Sequence, residues 1–237
     1  MDPNTTGLPG SAATIRRPSI AATGWNAVLV VIIGASLITQ TVLVIIGGVD
    51  VNSGAGTAAL PLGTRLVNLF SFFTIQSNIL VLIGAIRLLI DPGLRGTSWR
   101  VVRLDGQLGI VITGLVYVIV LRPLSNPTGI HFWVNAGLHY VAPPAAFLGW
   151  LILGPRPRIS WRVLILSLGW PVAWIVYTLI RGVITNWYPY PFLDAGTLGW
   201  PIALRNIGVI VLIALALLMI MKALDRLPTA GNNPTTG

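Results

Sequence analysis

Six apolar runs of about twenty residues, separated by short polar connections, constrain this chain more than any other feature. They lie at about 25–47, 66–90, 106–121, 131–153, 163–182 and 200–221. A helix rises 1.5 Å per residue, so about twenty residues cross a hydrocarbon core about 30 Å thick. Within such a core every backbone polar group must find its partner inside the protein. Apolar runs of this length, without period-two alternation, read as helices. The expected fold is therefore all-α, a polytopic bundle of six transmembrane helices spanning 24–224. The flanks 1–23 and 225–237 are polar and read as disordered tails. The first run is too long for the core of a cleaved signal and reads as a signal anchor.

Composition excludes the main alternatives. Hydrophobic residues make up 54% of the chain and charged residues only 9%, against about 25% charged in soluble domains. There is no cysteine, so disulfides, thiolate metal sites and cysteine nucleophiles are ruled out, and two histidines are too few for an all-histidine metal centre. No metal and no cofactor are expected. The net charge of +9 could suggest nucleic acid. However, fourteen of the fifteen cations flank the apolar runs or lie in the short loops between them, and they form no basic face interleaved with aromatics, so no nucleic-acid partner is expected.

The cations also predict orientation. Arg16, Arg17, Arg87, Arg95, Arg100, Arg103, Arg156, Arg158, Arg162, Lys222 and Arg226 fall on one side, against Arg65, Arg122 and Arg181 on the other. By the positive-inside rule both termini are cytoplasmic. The expected location is the cell membrane, in multi-pass form, with membrane lipids as partners. No oligomeric state follows from the sequence.

Polar side chains inside the spans are the functional candidates, because the bilayer makes them costly. Asn68, Ser71, Thr74 and Asn78 recur at helical spacing in the second run and predict a polar stripe down one continuous helix. Asn135 and His139 share a face of the fourth run. Pro143 and Pro144 follow and deprive the carbonyls of His139 and Tyr140 of their donors, which predicts a bend beside the histidine. Each group also has a plain structural reading, as helix-packing glue or as a buried neutral imidazole. Thr74 and His139 both fall about 12–15 Å from the start of their runs on the same side, at similar depth. A hydroxyl and an imidazole on one level can form an activated nucleophile pair. Tyr177 and Arg181, with the aromatic and proline segment that contains Tyr188, Tyr190 and Asp194, are expected to cover the same layer as a lid. Arg205, inside the last run, is expected to pair with Asp194.

Three segments carry a family likeness: Phe72-Phe73-Thr74, the stretch Trp133 to His139, and Arg181 through Trp187-Tyr188-Pro189 to Asp194. With these the chain resembles the androgen-induced/FAR-17a family of membrane hydrolases, and more closely its bacterial six-span integral membrane branch. The resemblance implies intramembrane threonine hydrolysis of fatty-acid esters of hydroxy fatty acids, with Thr74 as nucleophile and His139 as general base. This chain departs from the animal members at Ala136, where they carry a second histidine, and at Asp194, where they carry glutamate. The expected substrate is a lipid ester, and Ser71, Asn78, Asn135, Tyr177, Arg181, Tyr188, Tyr190, Asp194 and Arg205 are expected to support its binding. Asn78, Asn135 and Arg205 are the candidate oxyanion donors. The rival reading is a transporter or a small-molecule-binding membrane protein, in which the stripe and Arg205 line a path. A polar path running on to the cytoplasmic face would favour it, and a pocket closed below Asn78 would favour hydrolysis.

Overall fold

The structure, a computed structural model, describes residues 19–229 apart from Val51, Gly54, Ala55, Leu94 and Pro157. Residues 1–18 and 230–237, most of the two expected tails, lie outside the described residues. The described chain is all helical, with one isolated bridge between Val49 and Gly56 and no strand. Six helices are long and apolar enough to cross a membrane: Ile20–Ile45, Phe73–Ile90, Thr97–Leu124, Gly129–Leu153, Trp161–Thr185 and Trp200–Leu224, called spans one to six below. This is the architecture of a multi-pass membrane protein.

Several boundaries differ from expectation, most clearly the starts of spans one, two and three. Span one begins at Ile20, inside the expected tail, because the Ser19 hydroxyl accepts from the Ala22 N–H at 3.1 Å and caps the helix. Span three begins at Thr97, ahead of its apolar run. Arg100 and Arg103 occupy its first turns, and long aliphatic stems let such residues extend a helix past the apolar core.

Both described chain ends lie at one end of the bundle, the terminal end, and the opposite end is the loop end. At the terminal end Arg156, only 8% exposed, donates to the carbonyls of Leu224 and Leu227 at 2.6 Å and of Pro228 at 3.0 Å. Lys222 donates to the Ile159 carbonyl at 2.6 Å, and the Asp225 carboxylate accepts from the Ile159 N–H at 2.7 Å. The connection between spans four and five thereby satisfies carbonyls that the end of span six leaves unpaired. At the loop end Arg65 does the same for span one, donating to Val44 and Ile45 at 3.0 and 3.1 Å.

Span three is the centre of the bundle and span six its edge: 61% of the most apolar stretch of span three is buried, against 17% in span six. Leu108 and Ile110 on span three are fully enclosed. Gly114 sits where spans three and four touch, and a Cβ there would fall 2.8 Å from Pro143. A larger residue would hold the two helices apart.

Candidate functional site

The run expected as one second helix is broken. Helix Leu62–Ser71 stops, Phe72 adopts an extended conformation (φ −68°, ψ 129°), and span two starts again at Phe73. The expected polar stripe is therefore split between two helices. Side chains take up the carbonyls freed at the break: the Trp174 indole N–H donates to Ser71 O at 2.9 Å and the Gln76 amide to Phe70 O at 2.9 Å. Irregular backbone at membrane depth is tolerated where protein covers it in this way. Phe72 and Phe73 lock the break by packing, Phe72 edge-on to Trp187 and Tyr190, Phe73 stacked on Trp170.

The break places Thr74 in the first turn of a helix, where N–H groups have no intrahelical partner. The Thr74 N–H donates to the Tyr190 hydroxyl oxygen at 3.1 Å, and the two hydroxyls lie 3.2 Å apart. Thr74 and Tyr190 are both buried. Tyr190 belongs to the loop between spans five and six. Burial pushes its phenol up to about 12, opposed by its bonds to Thr74 and slightly assisted by the charge of Asp50. Asp50 is itself buried, and burial raises its carboxyl against the bonds it accepts from Asn52.

His139 sits in a π-helical turn, Ala136–Val141, directly before the two prolines. A bend was expected beside the histidine; what the helix has there is a widened turn, a feature found often at functional sites. Its Nδ1 lies 3.3 Å from the Asn135 carbonyl. A carbonyl only accepts, so Nδ1 carries the proton and Nε2 holds a free lone pair. Nε2 is buried and has no hydrogen-bond partner. Tyr117, in a second π-helical turn at the end of span three, stacks on the imidazole and accepts from the Asn135 side-chain amide at 2.6 Å.

Asn78 ties the two halves together. Its amide nitrogen donates to the Thr74 carbonyl at 2.9 Å and to the Leu138 carbonyl at 3.3 Å. The backbones of Thr74 and of the residue before His139 thus meet at one side chain. Thr74 and His139 themselves share no hydrogen bond: the Thr74 hydroxyl is with Tyr190, and His139 Nε2 is unpaired. Asn78 Oδ1, Asn135 Oδ1 and Thr113 Oγ1 are also buried without partners. Buried polar atoms are rarely left so.

Thr74, Thr113 and Tyr190 lie on the wall of a pocket of about 660 Å³, mouth included, among spans two, three, five and six and the loop. The rest of its wall is apolar or aromatic, from Leu121 and Phe192 at the loop end down to Pro171 and Ala214. No residue of its wall is shared with the separate cavity at the terminal end. His139 is not part of the wall.

The other expected residues divide. Ser71 bonds the Tyr177 hydroxyl at 2.7 Å and the Val67 carbonyl at 2.6 Å, beside the pocket rather than in it. Arg181 donates to Asn68 at 2.6 Å and lies over the Trp187 ring, fixing the loop. Tyr188 packs its ring on Gly182, which has no side chain to obstruct it. The expected Asp194–Arg205 pair does not form. Asp194 caps the short helix Ala195–Leu198 by accepting from Gly196, Thr197 N–H and the Thr197 hydroxyl. Arg205 is exposed on span six and bonds Asn206 at 3.3 Å. Of the expected oxyanion donors, the amide nitrogens of Asn78 and Asn135 are already engaged, and Arg205 is not in the pocket wall. The sequence reading missed Thr113 and Tyr117, whose four-residue spacing on one face of span three was their only signal. It also missed Gln40, fully buried on span one with both amide atoms unpartnered.

No family model matches the chain, and neither a curated protein nor a solved structure is similar to it.

Proposed function

We propose that the chain is an intramembrane hydrolase that cleaves a lipid ester through Thr74, with His139 as general base. The observation that carries this reading is a hydroxyl at the start of a broken helix, on the wall of an otherwise apolar pocket, with the Thr74 backbone tied through Asn78 to the carbonyl of Leu138, the residue before a histidine whose Nε2 lone pair is unused. The pocket wall suits an acyl chain, and Thr74 and Tyr190 suit the ester at its head. His139 Nε2 takes the Thr74 proton as the oxygen attacks the ester carbonyl, which requires the Thr74 hydroxyl to turn from Tyr190 toward the imidazole. The Tyr190 O–H and the Thr74 N–H are the donors at hand for the developing oxyanion. The carbon–oxygen bond to the alcohol then breaks, and the alcohol leaves with the proton from His139. Water, deprotonated in turn by His139, releases the fatty acid and restores Thr74.

The same reading places both termini in the cytoplasm and the pocket in the outer half of the cell membrane, on the strength of eleven cations against three. One observation favours the rival reading, a transporter or small-molecule-binding membrane protein without catalysis: the Thr74 hydroxyl is paired with Tyr190 and not with His139. Labelling by a fluorophosphonate probe separates the two. Hydrolysis requires labelling of the native protein that is lost in Thr74→Ala and strongly reduced in His139→Ala. Equal labelling of all three proteins, or none in the native one, rejects it in favour of binding alone.

A further inference from the structure

At the terminal end, remote from Thr74, spans one to four and the segment after span four enclose a second cavity of about 480 Å³, mouth included. Two of its wall residues, Arg103 and Gln107, lie four apart on one face of span three. The Arg103 guanidinium uses one donor on the Pro155 carbonyl at 2.7 Å, out of the five that the group carries. Among the described residues, no carboxylate lines the cavity. The Gln107 side-chain oxygen is buried with no donor to meet it. Gly84, Gly106 and Gly149 form part of the wall, and Leu29, Leu80 and Leu88 supply apolar surface beside the polar pair.

A cation with spare donors calls for an anion, and an orphaned amide oxygen calls for a hydroxyl or ammonium on the same ligand. The apolar neighbours and the location at the end of the spans call for a chain-bearing molecule. We infer that this cavity binds the headgroup of an anionic glycerophospholipid, with its phosphate on Arg103 and a headgroup hydroxyl donating to Gln107. Basic pockets between spans at this level hold such lipids. The site is separate from the Thr74 pocket and does not depend on hydrolysis.

Native mass spectrometry of the full chain in detergent tests the site, after incubation with dioleoyl phosphatidylglycerol or dioleoyl phosphatidylcholine. Phosphatidylglycerol is expected to be retained about tenfold better, the worth of one charge-assisted contact. Arg103→Gln should bring retention down to the phosphatidylcholine level, Arg103→Lys should restore part of it, and Arg87→Gln, which removes a charge outside the wall, should change nothing. Gly84→Leu gives an independent arm that leaves Arg103 in place. A Cβ at Gly84 meets nothing within 4 Å, so the new side chain starts in open space at the cavity wall and should exclude the lipid. Equal retention of the two lipids overturns the inference. So does a preference that survives Gly84→Leu. Displacement of the lipid by free glycerol 3-phosphate would assign the site to a soluble phosphate ester and overturn the lipid reading.

Discussion

The imidazole of His139 lies against the phenol ring of Tyr117, with centroids 4.1 Å and planes 25° apart, and each residue sits in its own π-helical turn. The stack fixes the ring face while the Asn135 carbonyl fixes Nδ1. Tyr117 also accepts the Asn135 amide. Tyr117→Phe keeps the stack and removes that acceptor, leaving a buried N–H unpaired at about 1–3 kcal/mol. A lower thermal midpoint with hydrolysis largely retained is expected. Tyr117→Ala should abolish hydrolysis as well, because the imidazole loses its support.

Among the described residues, only the Asn78 side chain bonds both the Thr74 and Leu138 carbonyls. Asn78→Leu, close in volume, leaves both carbonyls without this donor. If Thr74 and His139 act as proposed, activity should fall further than stability, since the loss acts on the register of their two backbones. Comparison of the turnover rate with detergent-solubilised thermal stability checks this. A fall in stability alone, with native turnover, would make Asn78 a packing residue.

Ala214 lies toward the inner end of the pocket wall, and Leu218, one turn further toward the terminal end, is buried. Ala214→Leu should shorten the pocket proposed to hold the acyl chain. Hydrolysis of long-chain esters is expected to fall about tenfold or more, in line with the cost of a misfit of a few methylenes, while short-chain esters react as before. A series of ester chain lengths reads this directly.

Tyr190 provides a pH test. Burial raises its folded-state pKa to about 12, above the ordinary phenol value near 10. The folded protein therefore prefers the neutral phenol. That preference contributes stability fully below about pH 10 and loses it as pH rises through about 12. Tyrosinate absorbance should show a late-titrating group that is missing in Tyr190→Phe. The loss of Tyr190→Phe stability relative to the native protein should be largest at neutral pH and shrink above pH 10.

How far the site was legible depended on which interactions are local. The irregularity beside His139 was readable because prolines remove hydrogen bonds at fixed offsets, whatever surrounds them. The break at Phe72 was not, because no glycine or proline marks it. Its freed carbonyls are met by Gln76, six residues on from Phe70, and by Trp174 from span five. The partner of Asp194 was misjudged for the opposite reason: a helix cap three residues away competes with a distant cation, and the near contact costs less chain entropy.

The sequence by itself determined the six spans, their order and the class of protein, because bilayer thickness and backbone hydrogen bonding act on each segment separately. Only the tertiary structure decided that Thr74 lies in the first turn of a helix under Tyr190, that Asn78 joins it to the carbonyl of the residue before His139, and that Arg205 faces outward. Those outcomes depend on side chains from different spans meeting across the bundle. No periodicity within a single span encodes the rotation of one helix against the next.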